Sequence, residues 1–169
     1  GAFHAVQFYQ TDAALCGIVA GFLAAGFDDG DPAVVIATPE HLLTIERELR
    51  ARSIDVDAIR RAGDLALLDA RATLAEFMRD GRPHAATFKA VAGRIIARVC
   101  RGRTACTVRA YGEMVDVLWK DGLEAAAIRL ETLWNDLPNT HEFKLLCGYS
   151  MGNFYKGAAG QAYGPCQMF

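Results

Sequence analysis

The chain is poor in lysine, and none of its four lysines (Lys89, Lys120, Lys144 and Lys156) follows a glycine turn after the first strand-like segment. A phosphate-binding loop of the form G-x-x-x-x-G-K-[ST] needs that lysine to reach the phosphates and needs glycines for close backbone approach. Tyr9-Gln10-Thr11-Asp12, which follows the first β-prone run, has no glycine and ends in an acid, so ordinary P-loop nucleotide hydrolysis is excluded. No G-x-S-x-G elbow offers a serine nucleophile. His4, His41, His84 and His141 show no metal-ligand spacing, and Cys16, Cys100, Cys106, Cys147 and Cys166 include no C-x-x-C pair. No metal and no cofactor are therefore expected. The cysteines read as buried thiols of a reducing cytoplasm.

Long hydrophobic runs are also missing. Nothing approaches the ~20 apolar residues that cross a bilayer, and the N-terminus lacks the basic and apolar regions of a signal peptide. A cytoplasmic protein with no membrane partner is expected. The net charge is −2, with the basic residues dispersed, so no direct contact with nucleic acid is expected either.

What the sequence does hold is alternation. Five short apolar runs read as strands: His4–Tyr9, Ala33–Ala37, Leu65–Asp69, Ala105–Ala110 and Lys144–Tyr149. The unbroken Ala-Val-Val-Ile-Ala run suits a strand covered on both faces. Between the strands, apolar residues recur at helical spacing, as in Leu15, Ile18, Val19, Phe22 and Leu23, or Phe88, Val91, Ile95, Ile96 and Val99. Thr11 or Asp12, and Thr38, are placed to start helices. Asp80-Gly81-Arg82-Pro83 reads as a loop. The class is α/β, with a mainly parallel sheet of about five strands and helices on both faces. Its length suits one domain, taken as residues 1–151, with a Gly/Ala/Tyr-rich tail over 152–169.

In such sheets ligands sit outside the carboxyl ends of the strands. The candidate ligand-binding residues there are His4, Gln7, Tyr9, His41, Tyr111, Glu113 and Trp119, with no catalytic residue among them. Glu113 follows Tyr111-Gly112 and opens a helix, so it is either a ligand group or a carboxylate favoured by the helix dipole. In the first case, alanine there weakens binding with little change in melting; a large loss of stability marks the second. His4 and His41 are candidates to converge with Glu113. Asp69 reads as a strand-end cap, Glu131 and Asn135 as a solvated helix face, and Trp119 and Trp134 as core or pocket wall. Cys147, beside His141 in sequence, reads as a core thiol.

His4-Ala5-Val6-Gln7-Phe8-Tyr9, Val34 to His41, Arg109-Ala110-Tyr111-Gly112-Glu113-Met114-Val115, Arg129-Leu130-Glu131-Thr132-Leu133-Trp134-Asn135 and Leu145 to Met151 together resemble the MEDS domain, the methanogen/methylotroph DcmR sensory domain. The resemblance implies a KaiC/RecA-like three-layer sandwich without the P-loop. It also implies a non-catalytic input module that binds a small molecule and signals to a histidine kinase or DNA-binding output module, in the same polypeptide or in trans. With no kinase or helix-turn-helix segment within these residues, an excised or stand-alone domain is expected. A degenerate nucleotide-binding domain, or an interaction module that forms a homodimer, are the alternatives.

Overall fold

A computed structural model of the chain describes residues 3–137 and 142–152. The elements run β1 (Phe3–Tyr9), α1 (Asp12–Asp28), β2 (Ala33–Ala37), α2 (Pro39–Ala51), α3 (Val56–Ala62), β3 (Leu65–Asp69), α4 (Ala70–Phe77), β4 (Met78–Arg79), β5 (Arg82–Pro83), α5 (Ala85–Cys100), β6 (Val108–Gly112), α6 (Met114–Lys120), α7 (Glu124–Asp136) and β7 (Phe143–Ser150). The main sheet has the order β1-β7-β6-β2-β3, and every neighbouring pair is parallel. Helices cover both faces, giving the expected three-layer α/β sandwich.

Strand parity sorts the core. Val35, Tyr111 and Leu146 pack with Leu15, Val19 and Leu23 of α1 and Ile45 and Leu49 of α2. Val34, Ile36, Val108, Leu145 and Cys147 pack on the other face with α4, α5, α6 and α7. Because successive strand residues point to opposite faces, each buried strand feeds both cores, which is why β2 is buried at all its positions.

Thr11 caps α1, its side chain accepting from the Ala14 amide at 3.3 Å, and Asp69 caps α4 through the Ala72 amide at 2.7 Å. Of the two residues the sequence offers at the start of α1, Thr11 is the cap and Asp12 the first helical residue, and Asp69 caps as expected. Thr38 stands at the N-cap of α2, with Pro39 in the first turn, but its side chain makes no capping bond.

Further expectations fail. The fourth strand runs from Val108 to Gly112, not from Ala105 to Ala110. Ahead of it, Cys100 and Cys106 are not free thiols but form a disulfide with Cα atoms 5.8 Å apart. Arg101 and Gly102, both at positive φ, turn the chain back so that the two thiols meet. Cys16 and Cys147 stay free and buried; Cys166 lies outside the described residues. The presumed loop over 80–83 is part of a small antiparallel hairpin, Met78–Arg79 against Arg82–Pro83. Asp80 and Gly81, at φ 50° and 75°, make its turn, the backbone that Asp-Gly favours in tight hairpins.

Candidate functional site

The connections reverse direction between β2 and β6. β2 leads into α2 on one face, while its sheet neighbour β6 leads into α6 on the other. This is the topological switch point, where an open parallel sheet leaves a crevice at its carboxyl edge. Glu113, one residue past β6, fills it. One carboxylate oxygen accepts the Thr38 amide at 2.6 Å, and the other lies 2.6 Å from His41 Nδ1 and accepts the Tyr111 hydroxyl at 3.3 Å. The Glu113 amide donates to the Ile36 carbonyl at 3.1 Å. Glu113 is 2% exposed and makes no side-chain cap for its own helix. Instead it accepts from the amide of Thr38, the N-cap of α2 just past the neighbouring strand, where the helix dipole favours a negative charge.

His41 is buried, with its second nitrogen 3.2 Å from Asp12 Oδ1. The hydrogen bond to Glu113 holds its pKa above the usual 6.5, against the opposing effect of burial. As an imidazolium it donates to Glu113 and faces Asp12, with the Tyr9 ring edge-on at 6.3 Å. A folded pKa above the unfolded value stabilises the fold fully below the unfolded pKa and loses that contribution as pH rises through the folded one. The melting temperature is therefore expected to fall as pH is raised from about 6.5 through the raised pKa of His41, and His41→Gln should flatten that limb in calorimetric scans at successive pH values.

Tyr9 joins the same crevice through a different carboxylate. Its hydroxyl donates to Asp116 at 3.4 Å and accepts from Lys120 at 3.4 Å. Burial, with Asp116 nearby, pushes the phenol up to about 12. Asp116 also accepts the Ser150 amide at 3.0 Å and lies 2.7 Å from Lys120 Nζ. Burial opposes the Lys120 charge, but Asp116 outweighs it and leaves that pKa raised. Asp116 and Lys120 were not singled out in the sequence; their i,i+4 spacing was the available signal.

Of the sequence candidates, Tyr9, His41, Tyr111 and Glu113 thus come together. The other three do not. Gln7 is half-buried and donates to the Phe8 carbonyl at 2.8 Å. Trp119 packs half-buried against the α4–α7 core. His4 faces the opposite side of the sheet from His41, because its parity in β1 differs from that of Tyr9. Its Nδ1 lies 2.7 Å from Asn135 Oδ1, and its Nε2 lies 3.3 Å from Cys147 Sγ and 3.6 Å from Glu131.

Glu131 is consequently no solvated residue: it is 4% exposed and accepts the Tyr149 hydroxyl. The histidine beside Cys147 is His4; His141 lies outside the described residues. Cysteine, histidine and asparagine in this relation resemble a nucleophile with its oriented base. Burial, however, drives the Cys147 thiol pKa well above its usual value, so the reactive thiolate is suppressed. Among the described residues, no group of His, Cys, Asp and Glu is arranged to hold a metal ion, and no buried side-chain nitrogen or oxygen lacks a partner.

A hollow opens on the α5 face of the sheet, with Tyr111 of the polar cluster among its lining residues. It lies between the sheet and α5, over Val34 and Ile36 of β2 and Ala110 and Gly112 of β6, with Ile95 and Ile96 above. Its cavity volume is about 20 Å³, open to solvent on one side, and Trp134 forms one wall.

The sequence model of the MEthanogen/methylotroph, DcmR Sensory domain (MEDS) matches residues 3–163, and the chain belongs to that family. No curated protein and no solved structure matches it. Membership gives the chain a sensory role. Among the described residues, no helix is long and apolar enough to cross a membrane.

Proposed function

We propose that this chain is a non-catalytic signal-input domain: a small molecule binds it, and the change passes to a histidine kinase or transcription-regulator output module, in the same polypeptide or in trans. A ligand shifts such an equilibrium only by its differential affinity for two arrangements, so the domain needs an element that both layers bias. Glu113 is that element, and its geometry carries the reading. It ties the first turn of α2 on one face to the end of β6 and the start of α6 on the other. Tyr9, His41 and Tyr111 act with it as a polar latch. His4, Gln7 and Trp119 stand outside the latch.

Retained nucleotide binding is the competing reading. Against it, Thr11 and Asp12 occupy the start of α1, where a phosphate would meet a carboxylate instead of glycine amides. Thermal-shift measurements separate the two. A small organic ligand at a hundredfold excess over its Kd stabilises the native state by about 2.7 kcal/mol, which is a rise of roughly 5–10 °C for a domain of this size. ATP with Mg²⁺ is expected to leave the transition where it is. Stabilisation by ATP-Mg²⁺ and by no small organic molecule would overturn the sensory mechanism proposed here.

A further inference from the structure

The hollow under α5 follows from the side chains of one strand. β6 turns Arg109 and Tyr111 toward α1, so Val108, Ala110 and Gly112 face α5. After Val108 that row has almost nothing to offer: a methyl group and a hydrogen. β6 lies in the middle of the sheet, flanked by β7 and β2, where a residue under a helix is ordinarily shut off from solvent. Ala110 is nevertheless only half-buried, and so are Ile95 and Ile96 above it. The cleft's lining is wholly apolar. A water molecule needs two to four polar partners to settle in a cavity, and this one provides none. Such a space either stays dry or takes an apolar guest.

We propose that this cleft is the ligand seat of the domain, and that it takes a small, uncharged, apolar molecule resting on Ala110 and Gly112 beneath Ile95 and Ile96. This rests on the sensory reading above and gives it a place and a ligand class. The polar crevice at the strand ends is less suited, since Glu113, His41, Tyr111, Tyr9 and Asp116 already satisfy one another there. The seat and the latch are nevertheless joined. The floor residue Gly112 immediately precedes Glu113, so a guest that shifts the end of β6 acts directly on the carboxylate that spans the two layers. Trp134, on the wall, connects the same guest to α7.

Xenon is a suitable probe, because it has no polar group and fits small apolar cavities. Titrated into the methyl-labelled chain, it should produce saturable shifts at Val34, Val108, Ile95 and Ile96, and none at Leu15 or Ile45 across the sheet. Ala110→Leu fills the floor and should weaken xenon binding by about tenfold or more, equivalent to at least one decade in Kd, with the melting temperature unchanged or raised. Should that variant fail to fold, Gly112→Ala is gentler, since a Cβ there meets no atom within 4 Å; it should weaken xenon binding by about threefold. Absent shifts, shifts centred elsewhere, or shifts that persist equally in both variants would overturn the proposal. If a polar organic ligand stabilises the protein while xenon leaves the α5 methyls unmoved, the cleft is ruled out and the sensory reading stands. Failure of the sensory reading is seen separately, as stabilisation by ATP-Mg²⁺ alone.

Discussion

Glu113→Ala is expected to destabilise the domain by about 3–5 kcal/mol, the usual cost of removing one partner from a buried charged pair. The sequence leaves a ligand group and a helix-start carboxylate open at this position; the contacts across to α2 are the ground for expecting a loss of stability. Alanine strands three donors at once: the Thr38 amide, His41 Nδ1 and the Tyr111 hydroxyl. Two of those residues, His41 and Tyr111, are buried, so water cannot readily replace the carboxylate. At roughly 2–4 °C per kcal/mol for a domain of this length, the melting temperature should fall by about 6–20 °C. Glu113→Gln keeps an acceptor for Thr38 but loses the charge that pairs with His41, and should fall between wild type and alanine. Urea unfolding followed by circular dichroism measures both. A Glu113→Ala midpoint indistinguishable from wild type would remove the carboxylate from the framework and return it to ligand recognition.

Trp134→Ala should be comparably severe, at about 3–5 kcal/mol, because truncating a buried aromatic loses its transfer energy and leaves a cavity. Trp134 is 7% exposed and joins a run of edge-to-face rings. Its centroid is 5.1 Å from Phe88 and 6.4 Å from Phe143, while Phe88 is 5.3 Å from Phe77. Such pairs add about 0.5–1.5 kcal/mol beyond area burial. The run fastens α7, α5 and α4 to the sheet, so the loss is shared by three helices. Denaturant midpoints should drop with the slope unchanged, and Trp134→Phe should recover much of the loss. A shift below about 1 kcal/mol, the range of ordinary surface and average substitutions, would mean that the neighbouring rings close the gap.

Periodicity made the architecture legible. The five strands and the helices between them follow from apolar spacing, and the caps at Thr11 and Asp69 from residue type. Strand order was not legible, and the site depends on it. Glu113 reaches Thr38 and His41 only because β6 lies beside β2, a long-range pairing that no local pattern encodes. Parity within β1 did hold a signal: His4 and Tyr9 are separated by an odd number of residues and must face opposite sides, so His4 could not have joined His41. Glu131 reads as solvated in the sequence because its helix face carries Asn135 and looks polar. The face is buried because His4 and Tyr149 come up beneath it to pair with those polar groups. Cysteine counting could not single out Cys100 and Cys106, whose meeting depends on the positive φ of Arg101 and Gly102. The cleft, too, lay outside the reach of composition. It comes from two small residues, Ala110 and Gly112, aligned on one face of a central strand.

The sheet order also sets a timetable for synthesis. β2 and β3 pair first in sequence, β6 joins β2, β7 joins β6, and β1 can only then add to β7, with Phe3 opposite Lys144 and Tyr9 opposite Ser150. Of the described strands, the one synthesised first is therefore the last to find its place. At 5–20 residues per second, Phe3–Tyr9 waits on the order of ten seconds for its partner strand. During that interval the β7 edge does not yet exist, and the apolar residues of β1 and of α1 behind it have no completed sheet to cover. A nascent chain of this fold should lean on chaperones that hold its N-terminal segment, and it should resist proteolysis only once Ser150 has cleared the exit tunnel.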